Sequence, residues 1–146
     1  MSIEFYRVTS REEIISRWGM IRNGFVAILE KGTGDDSLEL ILNDLMSGYY
    51  ILWIVEQDDD FAGLFTTRVE KGFYHDEPIL FLLVKHLYLN KKDPTIVVGV
   101  RDKADEIVRE CGCKFVKVYS TLDIARHMEM LGFARGYTEY IREVSE

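Results

Sequence analysis

Apolar positions along the chain change period several times, and those changes lay out its elements. The pattern is sharpest between Pro78 and Ser120. Ile79 to Asn90 (ILFLLVKHLYLN) is a β-competent apolar run, too long and too unbroken for a half-exposed edge, and it reads as a central strand. Lys91-Lys92-Asp93-Pro94 stops it. From Ile96 the apolar residues recur with helical spacing at Val97, Val100, Ala104, Ile107, Val108 and Cys111. Asp93 followed by Pro94 supplies an N-cap acceptor and then a residue whose missing N–H costs nothing in the first turn. Gly112 is placed to end that helix in the left-handed conformation. Lys114 to Ser120 (KFVKVYS) alternates as a strand does. The middle of the protein is therefore a β-α-β unit, a parallel pair joined by a right-handed crossover.

Upstream, Glu4 to Val8 reads as a short strand, and Ser10 with Glu13 has capping-box spacing for a helix. Ile14, Trp18, Ile21, Phe25 and Ile28 mark its buried stripe. Gly19 and Gly24 each weaken it by about 1 kcal/mol relative to Ala, so a bend or division is expected near them. Asp35 or Asp36 is expected to cap a second helix carrying Leu38, Ile41, Leu42 and Leu45, closed by Gly48. Tyr49 to Gln57 is a strand, Asp58-Asp59-Asp60 a polar turn, and Phe61 to Lys71 the antiparallel partner. Gly72 to Glu77 reads as a loop. Downstream, Ser120 and Asp123 resemble a capping pair for a last helix with Ile124 and Met128 inward and Gly132 at its end, and Phe133 to Val144 is a final strand. The expected order is β-α-α-β-β-β-α-β-α-β, a mixed α/β chain around a central sheet.

A length of 146 residues suits one domain spanning 1–146 and burying roughly two-thirds of its unfolded surface. A composition 47% hydrophobic and 29% charged is that of an ordinary globular protein rather than a disordered one. The net charge of −7 would repel nucleic acid, so duplex binding is not expected. Cys111 and Cys113 straddle a helix end at a spacing poor for a disulfide, which points to reduced thiols. MSIEFYRVTSREE is charged where a signal peptide needs an apolar core, and the other apolar runs are strand-length, so no leader and no membrane span are expected.

The layout resembles the GNAT (GCN5-related N-acetyltransferase) fold, and local sequence carries the likeness over residues 5–144. Glu110-Cys111-Gly112-Cys113-Lys114-Phe115-Val116-Lys117-Val118 is similar to the helix end leading into that family's fifth strand. Met130-Leu131-Gly132-Phe133 resembles its terminal Leu-Gly-Phe signature. Ser47 to Val55, then Phe61-Ala62-Gly63 and Thr66 to Val69, resemble its second and third strands. The pattern is most similar to divergent GNAT-like proteins of tailed bacteriophages. That resemblance implies acetyl-CoA held between the fourth and fifth strands, its diphosphate on the N-terminus of the intervening helix. The matching positions are Lys92 to Val97, and they contain no glycine. Asp93 places a carboxylate where the diphosphate would sit, and Pro94 deletes an N–H. If the coenzyme binds, Leu89, Lys91, Lys92 and Val97 are the residues that would hold it. Met128 stands where many relatives carry the tyrosine that protonates the departing thiolate, with Tyr119, Ser120 and Thr121 as the nearby hydroxyls.

Among candidate bases, His86 has the right intrinsic pKa, against the plainer reading of a histidine satisfied by a strand neighbour. Glu56 at a strand end could act through water, or be simply exposed. His75 lies beside Asp76 and Glu77, but no third metal ligand is evident, and no metal is expected; His127 reads as a surface residue. Asp58-Asp59-Asp60 lacks the spacing of a calcium loop. Phe73 and Tyr74, in the expected 72–77 loop, suit an interaction surface for a protein partner. The expectation is a GNAT-like binding or virion-associated protein, in the host cytoplasm or the virion, with no cofactor; the alternative is an acyl-CoA-dependent N-acetyltransferase using acetyl-CoA.

Overall fold

The computed structural model describes residues 2–31, 36–90 and 93–118. Over these the chain runs β1 (Ile3–Val8), α1 (Arg11–Lys31), α2 (Leu38–Met46), β2 (Ile51–Gln57), β3 (Asp60–Tyr74), β4 (Glu77–Leu89), α3 (Pro94–Cys111) and β5 (Phe115–Val118). The last helix and strand expected beyond Ser120 lie outside the described residues, as do Met128 and His127. The five strands form one sheet in the order β1-β2-β3-β4-β5. The first three pairings are antiparallel and β4–β5 is parallel, with Phe81 opposite Phe115 and Val84 opposite Val118. This is the mixed sheet the periodicity implied, with β4 flanked on both sides.

Strand alternation sends neighbouring residues to opposite faces, and each face has its own core. Leu52, Ile54 and Leu64 join Ile14, Ile21 and Phe25 of α1 and Ile41 and Leu45 of α2. Trp53, Val55, Phe65, Leu82 and Val84 join Ile96, Val100, Ala104 and Ile107 of α3. Helices thus cover both faces, which is why β2 and the middle of β4 are apolar at successive positions rather than at alternate ones.

Helix ends follow local chemistry, with one correction. Ser10 Oγ accepts the Glu13 N–H at 3.1 Å, the expected start of α1. The cap of α2 is Ser37, whose Oγ accepts the Leu40 N–H at 3.1 Å, rather than Asp35 or Asp36. Asp93 caps α3 with Pro94 at its first position, and Gly112 ends it at φ +69°, where a Cβ would be strained. α1 is not divided at Gly19 or Gly24: one helix spans all 21 residues. Gly24 is there for close approach, since a Cβ would come within 2.9 Å of the Tyr88 ring and 3.0 Å of Leu64.

The region 72–77 is not a loop. β3 continues to Tyr74 and β4 begins at Glu77, joined by a two-residue turn in which His75 and Asp76 have φ of +50° and +64°. Asp58 and Asp59, at +51° and +69°, make the same kind of turn between β2 and β3. Paired left-handed residues match the twist of flanking strands, so the hairpin forms without the Asn-Gly signature.

Candidate functional site

The site begins with a β-bulge. Phe65 pairs with Leu87 and Thr67 with Val84, so Lys85 and His86 together oppose Thr66. One extra residue reverses which face later side chains take. Before it, Leu82 and Val84 point to the α3 core; after it, Leu87 and Leu89 do, and Tyr88 goes to the α1–α2 side. His86 is thereby delivered to the α1–α2 face, its ring edge-on to Phe25 and to Tyr50, each at 5.5 Å.

His86 is 2% exposed and both of its ring nitrogens are engaged. Its backbone N–H donates to Thr66 Oγ1 at 3.1 Å, its Nδ1 lies 2.8 Å from the same oxygen, and its Nε2 lies 3.0 Å from Asp36 Oδ2. The carboxylate can only accept, so Nε2 carries hydrogen and donates to Asp36. The Thr66 hydroxyl, having accepted one hydrogen, donates its own to Nδ1. Burial pushes the imidazole below its usual pKa, opposed by the hydrogen bond and charge of Asp36. The one lone pair of the neutral ring therefore faces fully buried Thr66. A base for an outside substrate needs an accessible lone pair. His86 is the histidine satisfied by a strand neighbour, and its outward effect is to hold Asp36.

Asp36 is the member of this set that reaches solvent, at 18% side-chain exposure. Its other oxygen accepts the Ser37 N–H at 3.0 Å. Beside it opens a cavity of about 180 Å³ lined by Asp36, Leu40, Asp44, Tyr50 and Lys85. Leu40 and Asp44, four apart on α2, share a side of the helix, and Asp36, just before the Ser37 cap, is placed beside them by its hydrogen bond to His86. The Asp44 carbonyl accepts the Tyr49 N–H at 2.9 Å, folding the α2–β2 turn so that Tyr50 closes the cavity. Burial, with the nearby Tyr49, pushes the Tyr50 phenol up to about 12, so it stays protonated.

The start of α3 has a different character. Asp93 Oδ1 accepts the Thr95 N–H at 2.9 Å, and its carbonyl accepts those of Ile96 at 3.0 Å and Val97 at 3.2 Å. Asp93 Oδ2 also accepts from Gln57 Nε2 at 3.2 Å. Pro94 has no N–H to give. Each donor from Pro94 to Val97 is thus missing or already engaged, and a carboxylate lies on the positive end of the helix. These residues do not fit the diphosphate of acetyl-CoA, which needs several free, converging N–H groups.

The remaining candidates are dispersed. Glu56 sits on β2 directly across from Glu4, four residues along from Leu52, the partner of Thr66, so it does not meet His86. Leu89 packs into the α3 core at the end of β4. Lys91, Lys92 and Tyr119 lie outside the described residues. His75 is exposed in the β3–β4 turn, and no group of three metal-binding side chains occurs among the described residues. Cys111 and Cys113 are free thiols, the first exposed. Asp36 was expected only as a helix cap and Asp44 was not singled out by sequence, because the contact that joins Asp36 to His86 spans 50 residues.

A mixed sheet with α3 crossing from β4 to β5 on one face and two helices on the other defines the class. No protein-family model matches the sequence, and no curated protein matches it. Solved structures do. A predicted acetyltransferase from Clostridium acetobutylicum, solved with acetyl-CoA, matches at TM-score 0.68 and 10% identity over 98% of this chain and 96% of that one. A GCN5-related N-acetyltransferase from Ralstonia eutropha matches at 0.66 and 17% identity over 98% and 99%. Glucosamine-6-phosphate N-acetyltransferase from Arabidopsis thaliana matches at 0.64 and 13% over 99% and 100%. The chain has the GNAT acetyltransferase fold. Among the described residues no helix is long and apolar enough to cross a membrane.

Proposed function

We propose that this chain is a GNAT-fold binding protein of the kind tailed bacteriophages encode, without a seat for the coenzyme's diphosphate, acting on a protein partner in the host cytoplasm or the virion. One observation carries the reading: Asp93 and Pro94 occupy or remove the N–H groups at the start of α3. A surface suited to a partner exists at the tip of the β3–β4 hairpin, where Phe73 is 75% exposed beside half-exposed Tyr74.

Thermal unfolding with acetyl-CoA tests it. Coenzyme at 100 times its dissociation constant would add about 2.7 kcal/mol, a rise of about 5–11 °C in Tm for a chain this size. No shift at millimolar acetyl-CoA is expected, and a saturable rise overturns the reading. Mass spectrometry of purified virions tests the location.

A second reading, an acyl-CoA-dependent N-acetyltransferase, is favoured by the acidic cavity at Asp36 and Asp44, which would suit an amine acceptor. It requires the coenzyme to be held without the α3 N-terminus. The same titration separates the two.

A further inference from the structure

β4 starts earlier along the sheet than the strand beside it. It begins at Glu77, whereas β5 begins at Phe115, opposite Phe81. In that register Cys113 would stand opposite Ile79, but its N–H is bonded to the Val108 carbonyl at 3.0 Å, and the chain leaves the sheet there to close α3. The Lys114 N–H reaches the Leu80 carbonyl at 3.0 Å, so the peptide groups of Leu80 face the β5 side. By the strand period those of Pro78 do too. Among the described residues this is the one backbone bond on the β5 side of β4 between Glu77 and Leu80. The Leu80 N–H and the Pro78 carbonyl therefore face a notch at the end of α3. Its volume is about 480 Å³, and Lys71, Pro78, Ile79, Leu80, Gly112 and Lys114 line it. That lies within the roughly 300–1,000 Å³ range of ligand pockets.

The charge of the notch runs against that of the molecule. The chain carries −7 overall, yet both ionisable residues lining the notch are lysines, and both are exposed. Lys71 is directly across from Leu80 on β3. Lys114 shares the strand face of Val116, so both lysines lie on the α3 side of the sheet, just past the helix end. Other lysines are neutralised: Lys117 meets Glu70 at 3.1 Å and Lys103 meets Glu106 at 3.3 Å. Among the described residues no carboxylate pairs with Lys71 or Lys114. Beside them Phe73, opposite Pro78, is the 75% exposed aromatic of the hairpin tip.

We infer that this notch docks an extended acidic segment of a partner protein, added as a short strand beside the start of β4. One residue of the segment donates its N–H to the Pro78 carbonyl and accepts from the Leu80 N–H, as in strand addition. Acidic side chains at alternate positions then come to the face that carries Lys71 and Lys114, where charge-assisted hydrogen bonds form. The side chains between them turn to the other face, toward Ile79 and half-exposed Tyr74. Pro78 has no N–H to give, which keeps the backbone pairing short and leaves selectivity to the lysines. The inference names the partner chemistry for the binding-protein reading above and rests on it.

Titration of the isotope-labelled protein by NMR with end-capped pentapeptides tests it. The probes are Glu-Val-Glu-Val-Glu, its neutral counterpart Gln-Val-Gln-Val-Gln, and Lys-Val-Lys-Val-Lys. Saturable shifts with the acidic peptide, largest at Lys71, Leu80, Gly112 and Lys114, are expected. The neutral peptide should bind at least about threefold more weakly, and the basic one should give no saturable shift. Raising salt from about 0.05 M to about 0.5 M should weaken the acidic peptide. Replacing both exposed lysines, Lys71→Gln with Lys114→Gln, should lower its affinity about 3- to 30-fold. Lys103→Gln, whose charge already meets Glu106, should leave it unchanged. Equal binding of the acidic and neutral peptides, shifts mapping away from the notch, full affinity in the folded double variant, or no saturable response overturns the inference. A saturable response to acetyl-CoA overturns the earlier reading in a separate titration, so the two failures are distinguishable.

Discussion

Replacing His86 by Gln tests whether the imidazole is neutral in the folded chain. In the unfolded chain the ring titrates near 6.5. In the fold, burial lowers that value, with Asp36 opposing but not overcoming the effect. Below about pH 6.5 the unfolded state therefore binds a proton that the folded state declines. The stability contributed is complete above about pH 6.5 and falls as pH drops, at up to about 1.4 kcal/mol per unit, until the folded pKa is passed. Urea unfolding of wild type and His86→Gln, from about pH 7.5 to about pH 5.5, isolates the histidine by difference. Near pH 7.5 the variant should already be about 1–3 kcal/mol weaker, because Thr66 and Asp36 lose their common partner. Acidification should then narrow the gap, since only wild type carries the extra pH dependence. Parallel curves would refute the argument. So would a gap that widens on acidification, for that would mean an imidazolium–Asp36 ion pair is what the fold prefers.

Three further outcomes follow from single contacts. Gly24→Ala should destabilise by about 1–3 kcal/mol despite better helix propensity, because the new methyl meets Tyr88 and Leu64, while Gly19→Ala, with open space around it, should stabilise by about 0.5–1 kcal/mol; urea midpoints of the two variants check the opposite signs. Asp93→Ala should cost about 1 kcal/mol by freeing the Thr95 N–H, read as a lowered urea midpoint with an unchanged slope. A colorimetric thiol reagent should react in two phases on the folded protein, Cys111 first, because Cys113 is half-buried and burial raises its thiol pKa.

The elements that sequence displayed are those whose signal is local. The Asp93-Pro94 start and Gly112 stop of α3, and the Ser10–Glu13 start of α1, are short-range chemistry and stand where expected. The α2 cap moved to Ser37 because burial of Ile41 and Leu45 sets the helix phase, and neighbouring Asp36 is drawn to His86 instead. Residues 72–77 looked like a loop because Gly72, Asp76 and an exposed Phe73 carry no alternation, yet pairing with β4 holds them extended. The candidate site was least visible of all. His86 lies at an even position in β4, as Leu82 and Val84 do, and would share their face but for a bulge that no residue type announces. Its partner Asp36 is 50 residues away in sequence.

Asp93 and Asp36 put one functional group to opposite uses. Asp93 turns onto the backbone of its own helix, so the positive end of α3 is neutralised internally and offers little to an outside anion. Asp36 is gripped from behind by Ser37 and His86 and keeps part of its carboxylate toward the cavity, so negative charge is offered outward. The fold's usual demand is the reverse at the first place: donors presented to a diphosphate. The bulge at Lys85 and His86 is what makes that division possible, because without it the imidazole that holds Asp36 would lie under α3 instead.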